Sequence, residues 1–187
     1  MSKRTSVIFA CLIAVGTAVG CYPLYLQLSG NFHTVVEGQL YRSAQPTPRQ
    51  LERYVSSHDI KSIINLRASG DKGTWYSAEL ATAGKLGVEH VDYPMSASQV
   101  LTPEQADRLV ALMASLPKPI LIHCQAGADR TGLASALYVS RIAGRDEEAA
   151  ERQLSYYFGH VGIPRLSAAY AMDKSWENLE VHFGLRG

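Results

Sequence analysis

The sequence predicts one α/β domain with a central, mostly parallel sheet flanked by helices, and three observations carry that reading. Short apolar runs at Ser62–Leu66, Val88–Tyr93 and Ile120–Ile122 alternate with stretches of helical spacing, the order that parallel strands joined by crossovers require. The 187 residues amount to about one domain. Apolar side chains make up 47% and charged ones 19%, which suits a filled interior and not a disordered chain.

Residues 1–30 stand apart as an N-terminal signal or membrane-anchor segment, leaving 31–187 as the domain. Lys3 and Arg4 precede an apolar run with no fixed charge before Glu37, the pattern of a membrane signal. Val7 to Tyr22 is short for a spanning helix, and extension through Leu24 and Leu26 brings it near the roughly 20 residues needed. A retained anchor, a cleaved signal and acylation of Cys21, after Ala18-Val19-Gly20, all fit. Positive charge before the run keeps the N-terminus in the cytoplasm and sends the remainder across. The expectation is therefore a membrane-anchored or exported protein with its domain outside the cytoplasm, on the periplasmic side.

Within the domain, Leu40-Tyr41 reads as the first strand. A helix follows from Pro48, N-capped by Thr47, with Leu51, Tyr54 and Val55 inward. Strands are expected at Ser62–Leu66 and Val88–Tyr93. Thr102-Pro103-Glu104-Gln105 opens a helix by capping box and N1 proline; Leu109, Leu112, Met113 and Leu116 face inward until Pro117 stops it. Ile120–Ile122 is a buried strand. Helices are expected at Thr131–Ala143, closed by Gly144, and at Glu147–Phe158 and Ser167–Leu179.

Charge and cysteine usage exclude several classes. Eighteen bases against seventeen acids give +1; without Lys3 and Arg4 the domain is 16 − 17 = −1, with no run of one sign, so nucleic acid is not a partner. Of three cysteines, Cys11 and Cys21 lie in the N-terminal run and only Cys124 in the domain, which rules out a disulfide scaffold or structural zinc. His33, His58, His90, His160 and His182 lack ligand spacing, so no metal and no cofactor are expected.

The chemistry lies between the strand 120–122 and the next helix: His123, Cys124, Gln125, Ala126, Gly127, Ala128, Asp129, Arg130, Thr131. Open α/β sheets bind ligands at the C-terminal ends of their strands. A helix N-terminus there offers unpaired N–H groups and the positive dipole end, which favour a bound phosphate and a thiolate. Gly127 lets the backbone close around an anion, and Arg130 can return to hold two of its oxygens. His123 is expected to be buried and to brace the loop, and the Thr131 hydroxyl to donate to the sulfur.

HCQAGADRT resembles the HC-x5-R-[ST] signature of cysteine-dependent protein tyrosine and dual-specificity phosphatases. Gly38-Gln39-Leu40-Tyr41-Arg42-Ser43-Ala44-Gln45-Pro46 and Ile63-Ile64-Asn65-Leu66-Arg67 are similar to segments of the small bacterial dual-specificity-like members, so the resemblance covers about residues 31 to 180. It implies that fold, and phosphate monoester hydrolysis through a phosphocysteine at Cys124, with Arg130 and the loop amides stabilising the transferring group and no metal. The implied substrates are phosphorylated protein, phosphotyrosine foremost, or a phosphoinositide or phospholipid headgroup. A catalytically silent phosphate-binding module is the rival reading; arsenate reduction lacks a resolving cysteine and rhodanese chemistry lacks its persulfide loop.

Two residues compete as general acid. In most of the family an Asp about thirty residues before the cysteine protonates the leaving oxygen, and Asp92 has that distance although it precedes Pro94, whereas many relatives place the acid after the proline. Asp129 lies inside the loop, and its Asp-Arg-Thr is similar to the ending in myotubularin-like phosphoinositide phosphatases, where the in-loop Asp is the acid. Arg42, Arg67, Lys72 and Arg165 are candidate substrate contacts at the mouth. Trp75-Tyr76 and Tyr156-Tyr157-Phe158 are a candidate aromatic wall.

Overall fold

The computed structural model describes residues 13, 16–17, 20–67 and 73–185. Residues 20–29 are helical (α1). They lead into β1 (His33–Val36), β2 (Leu40–Ser43), α2 (Pro48–His58), β3 (Ser62–Asn65), α3 (Thr74–Leu86), β4 (Glu89–Asp92), α4 (Pro103–Ser115), β5 (Ile120–His123), α5 (Asp129–Arg141), α6 (Glu147–Glu151), a 3-10 turn at Tyr156–Phe158, and α7 (Tyr170–His182).

The sheet order is β1-β2-β5-β3-β4, antiparallel between β1 and β2 and parallel elsewhere. The alternation of side chains along each strand sorts them to two faces. Leu40, Ile64, Ile120 and Ile122 pack with Leu109 and Met113 of α4, Leu133 and Leu137 of α5, and Met172 and Trp176 of α7. Tyr41, Ile63 and Leu121 face the other way, against Leu51 and Tyr54 of α2 and Ala83 of α3. The mostly parallel α/β sandwich is as expected, with β1 making the sheet mixed.

Thr47 and Thr102 both form full capping boxes, with Gln50 and Gln105, and Leu116 leaves the helical region as Pro117 requires. Other expectations change. α3 and β1 belong to no predicted element. The helix expected over Glu147–Phe158 ends at Glu151, because the Gln153 carbonyl accepts from Arg42 Nη1 at 2.9 Å and Ser155 is extended. α7 begins at Tyr170, three residues later than expected.

The 1–30 segment is only partly within the described residues. Among them no helix is long and apolar enough to cross a membrane. α1 packs on the domain: Leu26 is buried, Tyr22 Oη donates to the Tyr157 carbonyl at 2.9 Å, and Ala44 N donates to the Gly30 carbonyl at 2.8 Å. Cys21 is an exposed free thiol.

Candidate active site

Register brings the functional residues to one end of the sheet. Ser43 and Asn65 both pair with His123, and Asp92 pairs with Asn65, so the ends of β2, β5, β3 and β4 are level. Cys124 follows β5 directly and is buried. The chain then turns through Gly127, at φ +71°, into α5. A Cβ at Gly127 would stand 2.5 Å from the Ala44 nitrogen and the Ser43 carbonyl carbon, so this position needs glycine both for its left-handed backbone and for its approach to β2. No side chain caps the α5 N-terminus at Ala128, which leaves its first-turn amides for an anion.

The loop is braced from below. Arg42, expected as a substrate contact at the mouth, is fully buried beneath the loop: Nη2 donates to the carbonyls of Gly127 at 2.9 Å and Ala128 at 3.2 Å, Nη1 reaches Gln153, and Phe158 lies 3.9 Å away. Burial draws its guanidinium down to about 9, opposed by the charges of Cys124 and Asp129, so it stays cationic near neutrality. Register explains the change, because Arg42 pairs with Ile122 in the sheet interior. Gln45 N donates to the Gln125 carbonyl at 3.1 Å, and Asn31 Nδ2 donates to the carbonyls of Ala126 and Phe158, each at 2.9 Å.

His123 is buried as expected, and its Nε2 meets Glu79 Oε1 at 3.1 Å; the same oxygen takes His90 Nε2 at 2.7 Å. The other Glu79 oxygen accepts from Gln45, whose own carbonyl accepts from Arg67 Nη1 at 3.2 Å. Burial pushes Glu79 up, but the charges and hydrogen bonds of His123 and His90 outweigh it and hold the carboxyl at about 2. Arg67 is 8% exposed and lies 3.8 Å over Trp75, a brace between β3 and α3. Lys72 lies outside the described residues. Arg165 is exposed on the segment before α7.

The Thr131 hydroxyl, expected to donate to the sulfur, is buried with no hydrogen-bond partner among the described residues. Arg130 is half-buried, with Nη1 3.4 Å from the carbonyls of Leu66 and Met95. Beyond Met95 opens a cavity of about 480 Å³ lined by Tyr93, Ser96, Leu101, Gln105 and Arg108 among others. The two acid candidates differ in setting. Asp92 accepts from Asn65 Nδ2 at 2.9 Å and from the Tyr76 hydroxyl. Asp129 is half-buried in the loop, 2.7 Å from Nδ1 of His160. The aromatics form no single wall: Trp75 stacks under Arg67, Phe158 under Arg42, and Tyr156 and Tyr157 meet α1.

No sequence pattern marks Glu79, Asn31 or the pairing of His160, and Gln45 is marked only by its place in the segment similar to the family. Glu79 lies on the unpredicted α3, and the only signal at His160 is its flanking Gly159 and Gly162. Among the described residues no group of His, Cys, Asp and Glu could hold a metal ion.

A buried cysteine directly after β5, an arginine six residues on, and a mostly parallel sheet behind them are the arrangement expected of the class of cysteine-dependent phosphatases. More narrowly, the family described as DSP-PTPase phosphatase fused to NAD+ kinase matches residues 27–167, and the chain belongs to it. It is 27% identical over 144 residues to the dual specificity protein phosphatase TpbA of Pseudomonas aeruginosa, covering 76% of this chain and 62% of that protein. The chain thus spans less than two thirds of that curated relative. The crystal structure of P. aeruginosa TpbA superposes with a TM-score of 0.65 at 23% identity, over 84% of this chain and 89% of the other. Its variant form in complex with pTyr gives 0.62 at 20% identity, over 85% and 93%. PTPMT1 in complex with PI(5)P gives 0.59 at 16% identity, over 81% and 98%. At these identities the structural likeness shows the shared fold.

Proposed function

We propose that this protein hydrolyses phosphate monoesters through a phosphocysteine formed at Cys124. The observation that carries the reading is the loop: Cys124 on its floor, Gly127 left-handed against β2, an uncapped α5 N-terminus, and Arg130 within the same turn. The substrate phosphate is cradled by the amides and Arg130, Sγ attacks phosphorus in line, and the ester oxygen leaves with a proton. Water then cleaves the S–P bond.

Asp129 is the acid in this reading. It lies in the loop itself, whereas Asp92 is two strands from β5, about 10 Å at ordinary strand spacing, with its oxygens engaged by Asn65 and Tyr76. The cavity beyond Met95 takes the remainder of the substrate. Phosphotyrosine in a protein is the favoured substrate, in line with the pTyr bound by the TpbA variant. The lipid reading is favoured by one feature of this chain: Leu24 and Tyr25 of α1, beside an apolar groove of about 210 Å³ that reaches Ala126 and Ala128, are exposed where the uncharged N-terminal run enters the domain. In both readings residues 1–30 carry the chain to or across a membrane and the domain works outside the cytoplasm.

The test is metal-free hydrolysis of a phosphotyrosyl peptide and of dispersed phosphoinositide by the full chain and by Cys124→Ser. Activity on one or both, abolished in Cys124→Ser, is expected, and the ratio between them selects the substrate. Phosphate binding without turnover on either would mean a docking module.

A further inference from the structure

Both ring nitrogens of His160 face carboxylates: Nδ1 lies 2.7 Å from Asp129 and Nε2 3.1 Å from Asp173. The three groups come from separate parts of the chain. Asp129 opens α5 inside the phosphate loop, His160 follows the 3-10 turn, and Asp173 sits in the first turn of α7. His160 is 4% exposed and the Asp129 and Asp173 side chains 27% and 28%, so water screens these contacts less than it would a surface pair.

The backbone around the ring is fixed as well. His160 N donates to the Ser155 carbonyl at 3.1 Å, and Asn31 ties the Phe158 carbonyl to that of Ala126 in the loop. A Cβ at Gly162 would overlap the Asp173 carboxylate, so glycine is what lets α7 bring that charge to the imidazole. Burial lowers the pKa of His160, but the hydrogen bond to Asp129 and the charge of Asp173 outweigh it and raise the pKa above its usual value. Arg42, beneath the loop, faces the charges of Asp129 and Cys124, and Arg130 adjoins Asp129 in the chain.

We propose that His160 is the positioning residue of the proton-transfer step: it holds the Asp129 carboxyl at the loop and resupplies, across the Nδ1–Oδ1 contact, the proton that the leaving oxygen takes. The proposal rests on Asp129 being the acid. In the first half-reaction the Sγ–P bond forms and the P–O ester bond breaks with its electron pair on the leaving oxygen. The Nδ1 proton of the His160 imidazolium passes to Asp129, and Asp129 delivers a proton to that oxygen, leaving His160 neutral. In the second half-reaction water oxygen bonds to phosphorus, the S–P bond breaks with its pair on sulfur, and the water proton returns through Asp129 to His160. Asp173 steadies the ring throughout.

The experiment compares kcat/KM of the full chain for p-nitrophenyl phosphate, whose leaving group needs little protonation, with that for a phosphotyrosyl peptide, across pH. His160→Asn is expected to lower the peptide value about 100-fold and the nitrophenyl value by less than about threefold. Asp173→Asn removes a charge that raises the His160 pKa, so the basic limb of the peptide profile moves to lower pH. Equal losses on both substrates in His160→Asn, or an unmoved basic limb in Asp173→Asn, overturn the proposal. Where His160→Asn does not fold, Asp173→Asn decides. Asp129→Asn separates the two layers. If it spares the peptide while Cys124→Ser abolishes turnover, the assignment of the acid fails; if it hits the peptide selectively and His160→Asn does not, only the role of His160 fails.

Discussion

Glu79 is the hub of a buried polar network behind the loop. One buried carboxylate takes His123, which precedes the nucleophile, then His90 on β4, and through Gln45 it reaches Arg67, two residues past the end of β3. Glu79→Ala leaves these groups buried without their charge partner, and the expected loss is about 3 kcal/mol in denaturant unfolding at constant m-value. The pH dependence gives a second reading of the same group. Its pKa is about 2 in the fold against 4.5 ordinarily, a depressed carboxyl, so its contribution is complete above about pH 4.5 and is lost as pH falls toward 2. The wild-type chain should therefore lose about 3 kcal/mol more over that window than Glu79→Gln. Parallel acid-unfolding curves for the two would remove Glu79 from this role. Arg42 shows the same limit of sequence reading, since a cation at a strand end looks like a substrate contact until the register puts it under the loop.

At the scale of elements, α5 is the axis of the site. Thr131 through Ser140 are all buried, because the sheet lies on one side and α4, α6 and α7 lie around the rest. Its helical identity was legible from the apolar run closed by Gly144. What was not legible is its tolerance: a Cβ at Gly132 would stand 2.8 Å from the Gln153 carbonyl oxygen and 2.9 Å from Leu154, on the segment that Arg42 also holds. Gly132→Ala is expected to destabilise by about 1–3 kcal/mol despite its better helix propensity, measured by thermal and denaturant unfolding. An unchanged or raised midpoint would mean that the segment yields freely. The missed α3 has a clear physical reason. Its buried positions are Glu79, Thr82 and Ala83, so no apolar stripe marks the inner face, and Gly73 caps it without a side chain. α2 and α4 were legible because threonine, proline and glutamine announce their starts and large aliphatics their inner faces. The 3-10 turn was not, because a tertiary bond from Arg42 overrides the helical pattern of 147–158.

At the scale of the molecule, the balance of charge and the N-terminal run act together. The domain from residue 31 carries 16 bases and 17 acids, so no long-range field draws it to an anionic surface. Before it stand only Lys3 and Arg4, worth about 2 kcal/mol together against anionic lipid, and a run without fixed charge up to Glu37. Leu24, Tyr25 and Leu28 of α1 are 58%, 65% and 76% exposed, while Leu26 on the same helix is buried against the domain. Apolar insertion rather than electrostatics should then govern membrane association. The full chain is expected to co-sediment with neutral phosphatidylcholine vesicles nearly as well as with anionic ones and to keep doing so at high salt, whereas a chain starting at Asn31 stays in solution. Association confined to anionic vesicles, or none, would count against a membrane role for residues 1–30. If residues 1–30 do seat the chain on a membrane, the geometry gives that association a functional consequence. Asn31 bonds directly to the Ala126 carbonyl of the phosphate loop, so only one residue, Gly30, separates the last turn of α1 from contact with the active site. A membrane-seated α1 would fix the height of Cys124 above the bilayer, and phosphate esters within that reach would be turned over in preference to those free in solution.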